Sequence, residues 1–335
     1  MSGGRKHGNL PIFVPHIGCP HRCTFCDQRT ISGAKTAPTP KDVEKLCIDA
    51  LSLDPDRELE LAFFGGSFTA IDRDYMVSLL EAADRFVGKG ISGIRLSTRP
   101  DAVGEEVLEI LKRYHVTAIE LGVQSMSDEI LAKNRRGHTA ADVYGAVERI
   151  KRFGFELGLQ MMVGLDGDTE ETTLYTAEKI IAFAPDTVRI YPTIALDHTE
   201  LGERLKRGEY TALSLEEGVR RTARVMELFG EKAPDIRIIR VGLHPSEEVE
   251  LNMLGGPYHP AFRELCESEI MKKRLLSQLK KLEKGSYTVL VNPKDISRMN
   301  GQKRNNIQSL AALGYDITVK GDERIKPLTP AVDRM

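Results

Sequence analysis

Cys19-Pro20-His21-Arg22-Cys23-Thr24-Phe25-Cys26 follows directly on an apolar run, Leu10–Ile17, that reads as a β-strand. The spacing Cys-x3-Cys-x2-Cys puts three thiols on one tight loop at the strand's C-terminal end. Three thiolates so placed can converge on one face of an iron–sulfur cube, leaving the fourth iron without a protein ligand. An open iron is a place to bind and activate a small molecule. Structural zinc is the competing reading. His16 or His21 could complete such a site, but zinc usually takes paired knuckles and the chain has no second Cys-x2-Cys. The other two of the five cysteines, Cys47 and Cys266, fall in helix-like stretches and read as small buried residues.

Outward from this loop, strand-like and helix-like stretches alternate as far as about Thr193. Further strands are predicted at Leu59–Phe64, Ile91–Ser97, Ala118–Val123, Phe155–Val163 and Thr187–Tyr191. The helices between them have a period near 3.6. Val103, Val107, Ile110, Leu111 and Tyr114 share one face. Val143, Ala146, Val147, Ile150 and Phe153 share another, in a helix that stops at Gly154. Six βα units in a row imply an α/β fold with a parallel sheet and right-handed crossovers. We read a partial (β/α)6, TIM-like barrel with functional groups at the C-terminal ends of its strands. Beyond Pro192 the pattern loosens. A helix is predicted at Leu215–Phe229, a strand at Ile236–Val241 and a helix at Phe262–Lys284. Tyr287–Val291, a polar helix Lys303–Leu313 and Ile317–Val319 then make a small αβ extension, with a soft boundary near Gly285.

The 335 residues are 41% hydrophobic and 29% charged, with net charge −2. That composition is ordinary for a globular protein and gives no global basic field for non-specific nucleic-acid binding. No apolar run is long enough to cross a bilayer, so no membrane association is expected. Residues 1–9 read as a flexible leader, not a signal peptide, and the expected location is the cytoplasm, where thiols stay reduced.

The cysteine loop in this setting resembles the radical S-adenosylmethionine (SAM) superfamily, down to an aromatic residue, Phe25, before the last Cys. The resemblance implies a [4Fe-4S] cluster on Cys19, Cys23 and Cys26. Its open iron would be chelated by SAM, and a low-potential donor such as flavodoxin or ferredoxin would supply an electron. Reductive cleavage of SAM then yields a 5′-deoxyadenosyl radical. Phe63-Phe64-Gly65-Gly66-Ser67-Phe68-Thr69 resembles the family's Gly-Gly-Glu motif, whose backbone receives the amino group of SAM; Ser67 replaces the acidic residue. Leu121 to Ser125 and Arg135 to Thr139 resemble the radical domains of the Elongator catalytic subunit and of oxygen-independent coproporphyrinogen oxidase. Gln124 and Arg136 match positions that contact the ribose and carboxylate of SAM. Gln160 to Thr169 resembles a stretch reading Gly-Leu-Pro-Gly-Asp/Gln-Thr, with Asp166 where Pro is common. Met161 stands where one branch has a ribose-binding Asp, so Gln160 is the candidate there, given a shifted register. Tyr191, at the end of the sixth strand, is a candidate rim residue facing cofactor or substrate.

The Elongator-like resemblance implies a core barrel over residues 10–210 and a C-terminal radical SAM subdomain over 211–284. The acetyltransferase domain of that subunit is not expected, because too few residues remain. Residues 285–335 form the extension, where Met299 to Ile307 resembles a KH element, a Gly-x-x-Gly loop between two helices that clamps a nucleic-acid backbone. Gly301 matches the first Gly, Arg304 stands at the second, and Lys303 and Arg304 could meet phosphates. The substrate is unidentified, with an RNA base as the first candidate. A tetrapyrrole or other small metabolite is the alternative within enzymes. A non-catalytic metal-cluster protein that binds RNA is the alternative outside them.

Overall fold

Seven parallel strands form one open sheet in the computed structural model, which describes residues 7–14, 19, 23–27, 30–31, 36–53 and 57–333. They are β1 (His7–Val14), β2 (Glu58–Gly65), β3 (Ile91–Thr98), β4 (Val116–Gln124), β5 (Glu156–Val163), β6 (Thr187–Pro192) and, beyond the short β7 (Ala195–Leu196), β8 (Arg237–Val241). The order β1-β2-β3-β4-β5-β6-β8 follows the chain, as successive right-handed βα units require. The result is the partial TIM-like barrel that the alternation implies. The strand at Ile236–Val241 joins it as a seventh stave, parallel to β6. β1 begins at His7, so residues 7–9 belong to the sheet and not to a leader. Residues 1–6 lie outside the described residues, as do His16 and His21.

Alternation along each strand gives the sheet two unlike faces. Leu59, Leu61 and Phe63 of β2, Ile119, Leu121 and Val123 of β4, and Val188 and Ile190 of β6 point outward. They pack with Val43, Leu79, Leu108, Val143, Ile150 and Ile180 of the covering helices in one core. Those helices carry local start and stop signals. Thr139 caps Ala140–Phe153 with a capping box, and Gly154 ends it in the left-handed conformation at φ 77°. Cys47 and Cys266 are fully buried in this core, as small apolar fillers.

The C-terminal part has a second core. β10 (Gly285–Val291) pairs in parallel with β11 (Tyr315–Gly321) and antiparallel with β12 (Ala331–Val332), while β9 (Met253–Gly255) pairs with β7. The helix Phe262–Leu279 belongs to both cores. Phe262, Cys266 and Ile270 face the barrel, whereas Met271, Leu275 and Leu279 face Val289, Val291, Leu310 and Ile317. The second packing unit therefore reaches back to Met271, upstream of the soft boundary expected near Gly285. That helix also ends five residues short of Lys284, because Leu282 turns into the second core and Gly285 bonds to Gly314 to start the sheet.

Candidate active site

The cysteine loop is held over the strand ends by backbone and amide contacts. The Thr24 N–H donates to the Asn134 carbonyl at 3.2 Å, and the Leu201 N–H donates to the Thr24 carbonyl at 2.7 Å. Asn134 is fully buried, and its side-chain amide donates at 2.9 Å both to the Ile130 carbonyl and to the Asp166 carbonyl. One side chain thus ties the loop to the segments after β4 and β5. Asp166 accepts from Arg204 at 2.8 Å and pairs with Lys133 at 3.0 Å, so this departure from Pro serves as a clamp. Phe25, Cys23 and Cys26 pack with Ile130, Leu165, Leu201 and Tyr210 in a small apolar shell that keeps water from the loop.

Arg136 reaches the thiols. Its Nη1 donates to Cys23 Sγ at 3.1 Å, its Nη2 donates to the Gly122 carbonyl at 2.6 Å, and the guanidinium lies 6.0 Å from the Phe25 ring centre. A Cβ on Gly122 would sit 3.1 Å from Gln124 Nε2 and 3.2 Å from that Nη2, so any larger residue there would have to shift both side chains by a few tenths of an ångström. Burial, then the neighbouring Cys23, pushes both the Cys19 and the Cys26 thiols up, while Arg136 draws them back. Protonated thiols are the stable form until a cation offsets the charge. Among the described residues no three His, Cys, Asp or Glu side chains are gathered closely enough for one metal ion. A cube takes each thiolate on a different iron and spreads the three sulfurs wider than one ion does.

Beside the thiols, polar atoms are buried without partners. They are Arg99 Nη1, Gln124 Oε1, Arg136 Nε and His138 Nδ1, all at or just beyond the ends of β3 and β4. Such atoms cost free energy unless something polar meets them. Together they offer donors to a carboxylate and an acceptor to an amine or hydroxyl, which fits the groups of SAM. Gln124 is held at φ 66°, a conformation that costs about 1–3 kcal/mol in a non-glycine residue and clusters at functional sites. His138 donates through Nε2 to the Val123 carbonyl at 3.2 Å; burial first, then Arg136, holds it neutral with a pKa of about 4.

The remaining residues singled out by sequence fall into two groups. At the mouth, Gly65 takes φ 112°, and a Cβ there would lie 2.6 Å from the Val14 carbonyl oxygen. The Gly66 N–H donates to that same carbonyl, so the glycine pair lets the ends of β1 and β2 meet under the cysteine loop. Ser67 is fully buried and turns inward, bonding Thr98 Oγ1 at 2.8 Å and accepting from the Arg99 N–H at 3.3 Å. Deeper in the barrel, Gln160 donates to Glu120 at 3.0 Å, and Tyr191 accepts from Arg189. Gln160 therefore bonds into the buried charges.

Those charges escaped the motif reading. Arg95 pairs with Glu60 at 2.7 Å and with Glu156 at 2.9 Å, and Arg189 grips Glu120 at 2.5 and 2.8 Å while stacking 5.1 Å from the Phe64 ring. Their signal was available, since a charge in the middle of an otherwise apolar parallel strand contradicts burial on both faces. Asn134, Arg99 and His138 had no comparable signal.

Fold and mouth together define a parallel half-barrel with a three-cysteine loop at its catalytic end. Residues 13–180 match the family model of the radical SAM superfamily, and residues 185–272 match the radical SAM C-terminal domain. The chain belongs to the radical SAM superfamily. It is similar to the tRNA uridine(34) acetyltransferase of Methanocaldococcus jannaschii, 32% identical over 186 residues, covering 49% of this chain and 34% of that protein. Human Elongator complex protein 3 is 31% identical over 234 residues, covering 62% and 41%. The heme chaperone HemW of Lactococcus lactis is 28% identical over 192 residues, covering 57% and 50%. In each case the match spans half or less of the relative's length. Among solved structures, Elp3 of Methanocaldococcus infernus superposes with a TM-score of 0.65 over 80% of this chain and 63% of that one, at 21% identity, which shows a shared fold. Among the described residues no helix is long and apolar enough to cross a membrane.

Proposed function

We propose that the chain is a cytoplasmic radical enzyme acting on a base of RNA, with a [4Fe-4S] cluster on Cys19, Cys23 and Cys26 and SAM bound beside it. The observation that carries this reading is the convergence, at one strand-end mouth, of the cysteine loop with the unpartnered buried atoms of Arg99, Gln124, Arg136 and His138. When bound, cluster and SAM supply a one-electron reduction, fed by a flavodoxin- or ferredoxin-like donor, that releases a 5′-deoxyadenosyl radical. The chain's own residues do the rest. Asn134 fixes the loop, and Arg136 sets a positive charge against Cys23. The apolar shell around Phe25 excludes water, and Gln124 with the two arginines orients the polar groups of SAM. RNA is favoured as substrate by the two relatives named for tRNA modification and Elongator, and by the exposed cations of the 301–304 loop.

The test is anaerobic reconstitution followed by a dithionite-driven assay for 5′-deoxyadenosine. About four irons with matching sulfide per chain are expected, as a cube requires. Cys19→Ala, Cys23→Ala and Cys26→Ala combined should abolish iron uptake and the nucleoside product together. Stoichiometric zinc without iron rules the reading out. Iron uptake without the nucleoside product removes the enzymatic part and leaves a cluster protein. Turnover of a tetrapyrrole with none of RNA moves the substrate to the small-metabolite class, towards the heme-chaperone relative.

A further inference from the structure

On the inner face of the sheet, one described cation, Arg240, stays outside the ion pairs of the buried network. Arg240 of β8 lies in register with Arg189 of β6. Arg189 is saturated by Glu120 and by the Phe64 ring. Arg240 is half-buried and makes no ion pair or side-chain hydrogen bond among the described residues, and its Nη2 is buried without a partner. Its charged and titratable neighbours are Arg189 and the Tyr191 hydroxyl on β6. His244, four residues on at the mouth, is largely exposed and faces both arginines; partial desolvation of its ring, then the charges of Arg240 and Arg189, lower its pKa. Arg240 thus stands beside the network without a carboxylate of its own, and a half-buried guanidinium with an unpartnered atom is costly unless an anion meets it. Tyr191 lies on β6 and His244 just beyond the end of β8, the staves farthest in strand order from β1 and its cysteine loop.

We propose that Arg240, with Tyr191 and His244 at its rim, binds an oxyanion of the substrate, a phosphate ester or a carboxylate, and so anchors the substrate across the barrel from the cofactor. A guanidinium fork suits either anion, because both present paired acceptor oxygens. The inference rests on the proposed function only in placing the substrate in the barrel mouth.

Calorimetric titration of the anaerobic holoenzyme in phosphate-free buffer tests it, with uridine monophosphate, uridine and citrate as probes. Uridine monophosphate should bind, and uridine at least tenfold more weakly. Arg240→Gln should lower affinity for the nucleotide about ten- to hundredfold, the range of a charge-assisted pair, and Arg240→Lys should recover part of it. Citrate binding with the same dependence on Arg240, in place of the nucleotide, assigns the site to carboxylates. Absence of binding by both anions, or equal affinity in wild type and Arg240→Gln with matched melting curves, overturns the proposal. If Arg240 proves indifferent while the wild type still forms 5′-deoxyadenosine, only this inference falls and the proposed function stands.

Discussion

The mouth and the floor of the half-barrel are built on the same strands and use the same residue types to opposite ends. On the floor, Arg95 and Arg189 are paired with Glu60, Glu120 and the half-buried Glu156, and Arg237 meets Glu156 from the outside, so that every carboxylate and guanidinium there has an opposite charge against it. One turn of the pleat higher, Arg99, Gln124, Arg136 and His138 are as buried and each leaves an atom unmet. Satisfied buried polarity holds a structure together, whereas four unpartnered buried atoms gathered at the strand ends beside a three-cysteine loop mark a candidate place for a ligand. Arg240 is instructive because it stands at floor level and behaves like the mouth.

The sharpest way to break this contrast is to unpair the floor. Glu120→Gln strips Arg189 of its bidentate partner and weakens the hold on Arg95. A buried guanidinium left without its carboxylate costs about 3–5 kcal/mol. Urea unfolding should show a loss of that size. A loss under about 1 kcal/mol would mean that water reaches the network and that the floor, like the mouth, is functional.

The next effect comes from His138, which belongs to the mouth and is read through pH. Its folded pKa, about 4, lies below the unfolded value of 6.5, because burial and then Arg136 disfavour the imidazolium. The neutral form is the one the fold holds. Its stability contribution is therefore complete above pH 6.5 and lost as pH falls from there through about 4. The full swing is on the order of 3 kcal/mol at 1.36 kcal/mol per unit. His138→Gln keeps a donor near the Val123 carbonyl and removes the titration, so its stability should fall less between pH 7 and pH 4.5 than that of the wild type. Identical acid profiles would show that another group governs this range.

How far the sequence anticipates the two levels depends on which residues carry the signal. Spacing and motif single out the cysteine loop, Gly65, Gly66, Gln124 and Arg136, and the strand ends they occupy follow from the βα alternation. The left-handed backbone at Gln124 was not legible, since a local motif does not show which non-glycine residue a β-bulge will strain. Asn134 links segments that are 110 residues apart in sequence, and nothing local announces such a contact. Resemblance aims Gln160 at the cofactor, and on the inner face of β5 its amide donates to Glu120. The seventh stave was legible as a strand but not as part of the barrel, because the crossover from β6 to β8 runs through β7 and two helices, Glu200–Lys206 and Leu215–Lys232.

Arg136→Lys sharpens the contrast from the mouth side. Lysine keeps the charge near Cys23 but cannot reproduce the fork. Affinity for SAM, measured by equilibrium binding on the reconstituted protein, should fall by about 1–3 kcal/mol, the worth of a charge-assisted bond. Iron content should hold. Unchanged affinity would return Arg136 to the floor's role, bracing Cys23 against Gly122 and nothing more.

A third set of unmet charges lies outside the barrel, and it should give the smallest effect. Lys303 and Arg304 are exposed, carry no ion pair among the described residues, and adopt φ 49° and 63° in the loop between the helices Ile296–Asn300 and Asn305–Ala312. Gly301, at φ 74°, turns the chain against Asn306, where a Cβ would lie 3.0 Å from that residue's side chain. The Asn306 amide in turn donates to Ser268 Oγ at 2.9 Å and to the Met299 carbonyl at 3.2 Å, so the loop is braced on the long helix shared by both cores. A rigid loop presenting two solvated cations suits phosphates, and in a chain of net charge −2 any affinity for RNA has to come from such local patches. Lys303→Ala combined with Arg304→Ala should weaken binding of structured RNA in filter or gel-shift assays. The log–log salt slope should flatten by about one to two units, since each phosphate contact releases roughly 0.7–0.9 of a counterion. Dithionite-driven formation of 5′-deoxyadenosine without substrate should persist, because the loop and the cysteine mouth belong to different cores. If the intact protein fails to bind RNA even at low salt, the unmet cations of this loop are ordinary surface charge. Unpartnered polarity then identifies a site in this molecule only where it is also buried.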